Sequence, residues 1–380
     1  MHSPDLSQEL IDLVISHLSE DRATVLACAL VCRDWVPSAR GNLTLYIRHD
    51  TLITFVSLFN ARQTTFRPFV RRVYFPDRNP WAYAEADLPL SLPTLPQFSV
   101  LLSLTMATML LTQRLPPLSN LTELNLLFCT FKRYSDLVQS LSGLPLLRHL
   151  TLLSMKWKDY LSGDRPVLPT IELDSLNLIL PNQIPQEDIL FSWRPRRLQL
   201  QSYVQSPAIF LTMSRYLRYL GVHLESLHLD NPDVPSAMEF THNSGLQHLT
   251  ISNAVRISVP KQTVGVSPHI LRHLARIVGF CRLKSLTLPV TPELDVEVVG
   301  YEMLSMEELV SQLLSSDMLA DDLEVTVDVA RGKVDAPDWS STIRATEAII
   351  RGGSIPLSSS RVSIVRCHGG RIGVRIRAAV

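Results

Sequence analysis

Residues 121–126 read Leu-Thr-Glu-Leu-Asn-Leu, and six near copies of this stretch follow it along the chain. Recurrence of one short pattern at intervals of 20 to 50 residues is typical of a chain built from stacked repeats. The successive spacings between the central leucines are 26, 26, 22, 29, 22 and 37 residues. These central leucines are Leu124, Leu150, Leu176, Leu198, Leu227, Leu249 and Leu286. The pattern predicts a repeat array that is clearest over residues 121–290.

The last two apolar positions of each copy are separated by one polar residue. Because successive side chains of a strand point to opposite faces, this alternation predicts short strands with one buried and one solvent-facing side. Parallel strands of an ordinary α/β domain are usually apolar on both faces, so the alternation favours a solenoid over such a domain. The separating residues are Asn125, Thr151, Asn177, Gln199, His228, Thr250 and Thr287.

Helical patterns and weaker copies surround these strands. Helices are predicted over 135–141, 207–220, 268–280 and 303–319 from apolar spacing and from proline at the first turn. Weaker copies of the strand motif occur at 70–75 and 101–106, and alternating strands are predicted near 323–327 and 362–364. Residues 291–380 are therefore interpreted as a looser continuation of the array.

The motif resembles that of the leucine-rich-repeat family, whose unit is about 20 to 29 residues long. The Asn or Cys that follows the strand in that family is matched once, by Cys129 followed by Phe131, so the chain is similar to an irregular member. The resemblance implies an α/β fold with a curved parallel sheet over residues 46–380, and a polar face that binds a target protein. The candidate target-binding residues are Glu123, Asn125, His149, Thr151, Asn177, Gln199, His228 and Thr250.

Residues 5–40 follow a helical rather than a strand period. Apolar positions such as Leu10, Val14 and Leu18 predict the first of three short amphipathic helices, and the break at Ser19-Glu20-Asp21 can cap the second. About forty residues bury too little surface to be stable alone, so part of their apolar surface must contact something else. That contact is either the solenoid, with these helices as its N-terminal cap, or a separate protein.

Three short segments of this region carry a second resemblance. Residues 6–11 read Leu-Ser-Gln-Glu-Leu-Ile, residues 15–18 read Ile-Ser-His-Leu, and residues 31–35 read Val-Cys-Arg-Asp-Trp. Together they are similar to the F-box family, although Ser7 stands where that family usually has proline. The resemblance implies that residues 1–45 bind a Skp-type adaptor and, through it, a cullin. The matching positions are Leu6, Leu10, Ile11, Ile15, Leu18, Val31, Cys32 and Trp35.

Composition excludes several other classes. Lys and Arg total 36 and Asp and Glu total 36, which argues against a nucleic-acid partner because phosphate binding needs a basic excess. The apolar run over 100–111 is too short to span a membrane. Five scattered cysteines predict a reducing compartment, hence an intracellular protein of the cytoplasm or nucleus. No phosphate-binding loop, nucleophile elbow or zinc motif occurs, so no catalytic, cofactor or metal site is predicted.

These observations lead to one hypothesis and two alternatives. The leading hypothesis is a substrate-recognition subunit of a Skp–cullin–F-box ubiquitin ligase, itself not an enzyme. The first alternative is a leucine-rich-repeat scaffold unconnected to ubiquitin. The second is a divergent α/β enzyme, which would require polar groups that converge in one pocket.

Overall fold

The computed structural model describes residues 7–18, 21–31, 33–47, 54, 57, 69–75, 100–111, 114–159, 170–180, 190–202, 207–230, 240–252, 255–258, 263–266, 283–293, 302–304, 324–329, 362–367 and 371–377. The chain forms two compact units, residues 1–173 and residues 174–380. The boundary predicted at residue 45 stays a prediction.

Three short helices open the first unit: α1 (Gln8–His17), α2 (Arg22–Val31) and α3 (Trp35–Asn42). Each contributes its apolar stripe to one small core, which consists of Ile11, Ile15, Val25, Cys28 and Ala39. Leu18, Ala29, Trp35 and Leu43 pack around this core and are partly buried. The three helices predicted from the apolar spacing of residues 5–40 are confirmed.

Side-chain hydrogen bonds fix the ends and the packing of these helices. The Asp21 carboxylate accepts hydrogen bonds from the backbone N–H groups of Ala23 and Thr24, both at 3.1 Å, and so caps α2 as predicted. On α1, Asp12 accepts a hydrogen bond from the Ser38 hydroxyl of α3. The Gln8 amide donates to both of these side chains at 2.9 Å. This polar cluster joins α1 to α3 at the edge of the small core.

Eight strands and one helix follow in the first unit. They are β1 (Thr44–Tyr46), β2 (Arg72–Phe75), β3 (Ser103–Ala107), β4 (Leu110–Leu111), β5 (Glu123–Leu127), β6 (Thr130–Arg133), α4 (Tyr134–Ser142), β7 (His149–Leu153) and β8 (Lys156–Asp159). Strands β1, β2, β3, β5 and β7 pair in that order, all in parallel. Strands β4, β6 and β8 form a second parallel sheet. The weak motif copies at 70–75 and 101–106 are therefore true strands of the repeat sheet.

The residue that follows each of three successive strands adopts a left-handed conformation. Thr108, Phe128 and Ser154 have φ values of 50°, 55° and 47°. The N–H group of Thr108 donates to the carbonyl of Leu127 at 2.8 Å, and that of Phe128 donates to the carbonyl of Leu153 at 2.7 Å. Each turn thus leads from a strand of the first sheet toward one of the second, and the first two are bonded to the end of the next strand.

Both sheets of this unit contribute buried apolar side chains. Leu104, Leu124 and Leu150 are aligned in register on β3, β5 and β7, and each is at most 2% exposed. On the other side, Phe131 and Trp157 stack along β6 and β8 with ring centroids 5.9 Å apart. Burial of such leucines, at about 2 kcal/mol each, is the main force that holds the stack together.

The second unit contains the remaining strands and one long helix. They are β9 (Ile171–Leu180, which begins in the first unit), β10 (Trp193–Ser202), α5 (Pro207–Leu220), a 3₁₀ turn (Gly221–His223), β11 (Ser226–Leu229), β12 (His248–Ile251), β13 (Val255–Ser258), β14 (Thr263–Val266), β15 (Ser285–Glu293), β16 (Glu302–Leu304), β17 (Glu324–Val329), β18 (Val362–Cys367) and β19 (Arg371–Arg377). Strands β10, β11, β12, β15 and β17 pair in that order in parallel.

The C-terminal strands depart from a simple continuation of the repeats. Strand β19 lies antiparallel to β17 and to β18, and β14 lies antiparallel to β13 and to β16. The links from β13 to β14 and from β18 to β19 are only three or four residues long, which suits a hairpin and is too short for a parallel crossover. The predicted helix over 303–319 is wrong at its start, because residues 302–304 form a strand.

Helix α5 is anchored in the second unit by aromatic and polar contacts. The Tyr216 hydroxyl donates to the Trp193 carbonyl at 2.9 Å, and the Phe191 ring lies 6.1 Å from that of Tyr216. The amide of the fully buried Asn243 donates to the carbonyls of Leu217 and Gly221 at 2.8 and 3.0 Å. These bonds satisfy carbonyl groups at the C-terminal end of the helix.

In outline, the described chain is an α/β structure with an N-terminal three-helix group and parallel repeat strands that resemble a leucine-rich-repeat solenoid. Helices α4 and α5 confirm the helical predictions for 135–141 and 207–220. The helix predicted over 268–280 lies outside the described residues. Among the residues that the structure describes, no helix combines the length and apolar character needed to cross a membrane.

Candidate functional site

The first unit presents two rows of side chains on the solvent side of its repeat strands, and these rows are here named the unit-1 polar face. Each row takes one residue from β1, β2, β3, β5 and β7 because the strands are paired in register. The first row is Thr44, Arg72, Ser103, Glu123 and His149, and the second row is Tyr46, Tyr74, Thr105, Asn125 and Thr151.

Asn125 organises the centre of this face. Its side-chain amide donates to the Thr105 hydroxyl on the neighbouring strand at 3.1 Å and to Glu123 Oε1 on its own strand at 2.9 Å. One amide group thus holds a hydroxyl and a carboxylate in fixed positions across two strands. Such held polar groups are suited to bind the polar groups of another molecule without first becoming ordered.

A recess of about 310 Å³ opens on the part of this face formed by β1, β2, β3 and β5. The rings of Tyr46 and Tyr74 form one side, in an edge-to-face pair with centroids 5.3 Å apart and planes at 69°. Arg72 and Glu123 contribute opposite charges to its lining. This volume is at the low end for a ligand pocket, so it fits a short segment or a few side chains of a partner.

The second unit has a corresponding pair of rows. In the first, Arg197, Ser226, His248 and Ser285 are aligned on β10, β11, β12 and β15. In the second, Gln199, His228, Thr250 and Thr287 are aligned on the same strands. Within the first row, His248 Nδ1 lies 2.7 Å from the Ser285 hydroxyl, so a side-chain hydrogen bond joins these two neighbouring strands.

His228 lies between a serine and an aspartate but does not form a hydrolase-type relay with them. Its Nε2 atom lies 2.8 Å from the Ser252 hydroxyl and 3.1 Å from an Asp230 carboxylate oxygen. A Ser-His-Asp relay requires the serine and the carboxylate on opposite ring nitrogens. Because both groups contact the same nitrogen, this arrangement holds the imidazole in place and does not activate the serine.

The structure places the eight candidate target-binding residues as half-exposed side chains of the repeat strands. Glu123, Asn125, His149 and Thr151 lie together on the unit-1 polar face. Gln199, His228 and Thr250 share one row in the second unit, and Asn177 lies on β9. Whether these residues contact a target stays a prediction.

Sequence reasoning missed the first part of the unit-1 polar face. The residues that it did not select are Thr44, Tyr46, Arg72, Tyr74, Ser103 and Thr105. The signal was present in the weak motif copies at 70–75 and 101–106, where a polar or aromatic residue alternates with buried ones. Strand β1 is only three residues long and carries no complete motif, so no sequence pattern could have revealed it.

The three helices α1, α2 and α3 are here called the helical module. The candidate adaptor-binding residues that the structure describes in it fall into three groups by burial. Leu10 and Val31 are 50% and 63% exposed, whereas Ile11 and Ile15 belong to the core of the module. Leu18 and Trp35 are partly buried against that core. Leu6 and Cys32 lie outside the described residues. Of the eight positions, only Leu10 and Val31 are seen with a large apolar surface open to solvent.

Further apolar side chains, which the F-box resemblance did not select, are exposed on the same helices. On α1 they are Leu13 and Val14, which lie beside Leu10 on the side away from the core. On α2 they are Leu26 and Leu30, four residues apart and therefore on one face, and Leu30 is 87% exposed. Clustered exposed apolar side chains of this kind are typical of interaction surfaces.

Charged groups of the module are held in their ionised form. The Ser38 hydroxyl, then the Gln8 amide, lower the pKa of Asp12, with a further contribution from the Arg71 guanidinium. The hydroxyl and backbone N–H groups of Thr24 lower the pKa of Asp21. Both carboxylates lie at or near the surface, and their role is to fix helix ends and helix packing.

Candidate metal ligands do not cluster in the part of the chain that the structure describes: no group of three or more His, Cys, Asp or Glu side chains is placed to hold an ion. Cys28 and Cys129 are buried thiols, and burial raises the pKa of Cys129 to about 12. A thiol with that pKa stays protonated at neutral pH and is a poor nucleophile or ligand.

Comparisons with known proteins add little to this geometry. The sequence matches no protein-family model and no curated protein. Among solved structures, the chain is similar to an internalin from Listeria monocytogenes, with 14% sequence identity, 63% of this chain and 83% of that chain covered, and a TM-score of 0.22. A similarity of this size carries no weight for function.

Proposed function

We propose that this chain is a non-catalytic protein-binding molecule whose partner lies on the unit-1 polar face. The observation that supports this function is the pair of five-residue rows, aligned in register and alternating with a row of apolar residues that is buried on β2, β3, β5 and β7. Stability requires the buried row and does not require the exposed ones. Residues such as Arg72, Tyr46 and Glu123 on an exposed sheet face therefore suit recognition better than folding.

The extent of the face favours a macromolecule over a small metabolite. Five strands at a spacing of about 4.8 Å give a surface about 19 Å wide between its outer strands. The recess of about 310 Å³ occupies only part of it. Tyrosine and arginine are the residues most enriched where binding energy is concentrated in protein–protein interfaces, and both occur here.

Site-specific photocrosslinking in the full chain tests this function. A photoreactive phenylalanine analogue at Thr151 is expected to give a discrete adduct with a partner protein in extracts of the source cells. The same analogue at Gln139, which is exposed on α4, serves as the control. Adducts that are absent at Thr151, or equally strong at Gln139, would contradict binding at the polar face.

A second candidate function is favoured by the exposed leucines of α1 and α2. Under this proposal the three helices dock on a Skp-type adaptor, and the chain is the substrate receptor of a cullin-based ubiquitin ligase in the cytoplasm or nucleus. The supporting observation is that Leu10, Leu26 and Leu30 keep 44–87% of their surface exposed although the module has its own core. Here the chain would raise the effective concentration of a target beside the ligase.

The adaptor proposal is tested by co-purification with a Skp-type adaptor. Leu10→Glu together with Leu30→Glu removes exposed apolar surface without touching the core, and retention of the full chain is expected to fall at least tenfold. Trp35→Ala is a poorer test because Trp35 packs against the core of the module.

Glu9→Gln is the matched control, since Glu9 is an exposed residue of the same helix. Retention that is unchanged by the double substitution, or absent in the unmodified chain, would leave only the scaffold function. Neither result bears on the crosslinks at Thr151, so the two proposals can fail separately.

A further inference from the structure

The recess on the unit-1 polar face combines two opposite charges with an aromatic wall, and these features define the kind of segment that it can hold. Arg72 and Glu123 lie in the same row, with Ser103 of β3 between them. Two strand spacings of about 4.8 Å place their backbones about 10 Å apart. The recess thus receives a cationic and an anionic side chain from backbone positions two strands apart.

Both charged groups keep bonding capacity that the fold does not use. The Arg72 guanidinium is exposed and makes no hydrogen bond or ion pair with any residue that the structure describes. Asn125 engages one oxygen of the Glu123 carboxylate. The recess therefore offers a planar cation that can take a carboxylate in two parallel hydrogen bonds, and an anion that is already held in position.

The aromatic side of the recess adds a surface for a rigid apolar group. The edge-to-face arrangement of Tyr46 and Tyr74 exposes ring faces and edges at different angles, and Tyr46 keeps half of its surface open. Grooves lined by aromatic rings are typical binding sites for proline-rich segments in the polyproline-II conformation, which lose little entropy on binding.

The backbone spacing of Arg72 and Glu123 is compatible with that conformation. A polyproline-II helix has three residues per turn and a rise of about 3.1 Å per residue, so side chains three apart lie on one side at about 9 Å. In a β-strand, same-side neighbours would be about 7 or 13 Å apart instead. The roughly 10 Å between the backbone positions of Arg72 and Glu123 is closer to the polyproline-II value.

We propose that this recess binds a proline-rich peptide segment of the partner protein, with an acidic residue on Arg72, a basic residue three positions away on Glu123, and proline against Tyr46 and Tyr74. This proposal deepens the protein-binding function proposed above and rests on it. It assigns a specificity to the sheet face that the repeat pattern alone does not carry.

Fluorescence anisotropy with the full chain tests this specificity. The probes are two labelled peptides, Pro-Glu-Pro-Pro-Lys-Pro and its charge-reversed order Pro-Lys-Pro-Pro-Glu-Pro, and an uncharged version with Gln at both positions. We expect one charged order to bind at least tenfold more tightly than the Gln peptide. Arg72→Glu should weaken that binding at least tenfold, whereas Arg114→Glu, the same change at an exposed arginine outside the recess, should not.

A charge inversion makes the test independent of folding effects. In the double variant Arg72→Glu with Glu123→Arg, the preferred peptide order should switch to the opposite one. Equal binding of all three peptides, equal effects of the Arg72 and Arg114 substitutions, or no switch in the double variant would each overturn the proposal. If crosslinks at Thr151 persist in that case, the protein-binding function survives and only the proline-rich specificity is lost.

Discussion

At the residue scale, Gly245 shows how one missing side chain permits a close approach. A Cβ atom at this position would overlap the carbonyl group of Val222, with 2.9 Å to the carbonyl carbon. Val222 belongs to the 3₁₀ turn after α5, and the buried Asn243 lies two residues before the glycine. The glycine is therefore required by the space available and not by its backbone dihedral angles.

Gly245→Ala is accordingly expected to destabilise the second unit by about 1–3 kcal/mol, because backbone atoms must move to accept the methyl group. Gly143→Ala is the matched control, since its Cβ would meet nothing closer than 3.4 Å. Urea denaturation of both variants measures the difference. Equal midpoints for the two variants would show that the turn yields easily.

At the element scale, the three helices depend on polar contacts as well as on their small core. Asp12 on α1 accepts hydrogen bonds from Ser38 on α3 and from Gln8, and the lowered pKa of its carboxyl group reflects these bonds. The group titrates at a lower pH in the folded protein than in the unfolded chain, where its value is about 3.8. Its contribution to stability is thus complete above that value and is lost as the pH falls through the lower, folded-state pKa.

Asp12→Asn should therefore lower the stability of the helical module at neutral pH and reduce its dependence on acid. Thermal unfolding followed from about pH 7 to about pH 3 should show a smaller decline for the variant than for the unmodified chain. The difference should be modest, because Asp12 lies near the surface and solvent screens its interactions. Parallel pH profiles for the two proteins would exclude a structural role for this carboxylate.

Helix faces also show what sequence can and cannot resolve at this scale. The apolar spacing predicted α1 correctly. However, Leu10 and Ile11 are adjacent aliphatic residues of similar size, and Leu10 is exposed whereas Ile11 lies in the core. The local apolar pattern predicts that the segment is a helix and which side of it is, on average, apolar. The choice between core and contact depends on where α3 packs, which is a long-range property that no single-sequence pattern carries.

At the scale of the whole molecule, stability depends on rows of leucines that extend through neighbouring strands. Leu124 is fully buried and lies between Leu104 and Leu150 in register. In stacked repeats each repeat is stabilised mainly by its neighbours. A destabilising substitution in one strand therefore also weakens the adjacent strands.

Leu124→Ala is expected to cost about 2–5 kcal/mol, because the cavity that it leaves cannot collapse within a packed row. Hydrogen–deuterium exchange should show reduced protection on β3 and β7 as well as on β5. Leu102→Ala, at a leucine that is 40% exposed, should have a much smaller effect. Loss of protection confined to β5 would contradict coupling between the strands.

The repeat strands were largely predictable, and the reason is physical. Leucine pairs two residues apart, as at Leu124 and Leu126, report burial on one face directly. Strand β16 was not predictable, since residues 302–304 become a strand by pairing with β14, far along the chain. The recess escaped prediction for a similar reason: Tyr46 and Tyr74 meet only because β1 and β2 pair across an interval of more than twenty residues.

The left-handed residues Thr108, Phe128 and Ser154 have a consequence for how this architecture can change over evolutionary time. Because Thr108 and Phe128 are each bonded to the end of the next strand, the alignment of neighbouring strands is fixed again at both of these turns. Connector length is thereby uncoupled from alignment at these turns, where the strand spacing is 20 residues from Leu104 to Leu124 and 26 from Leu124 to Leu150. Insertions after these turns can accumulate while the rows of the unit-1 polar face keep their order.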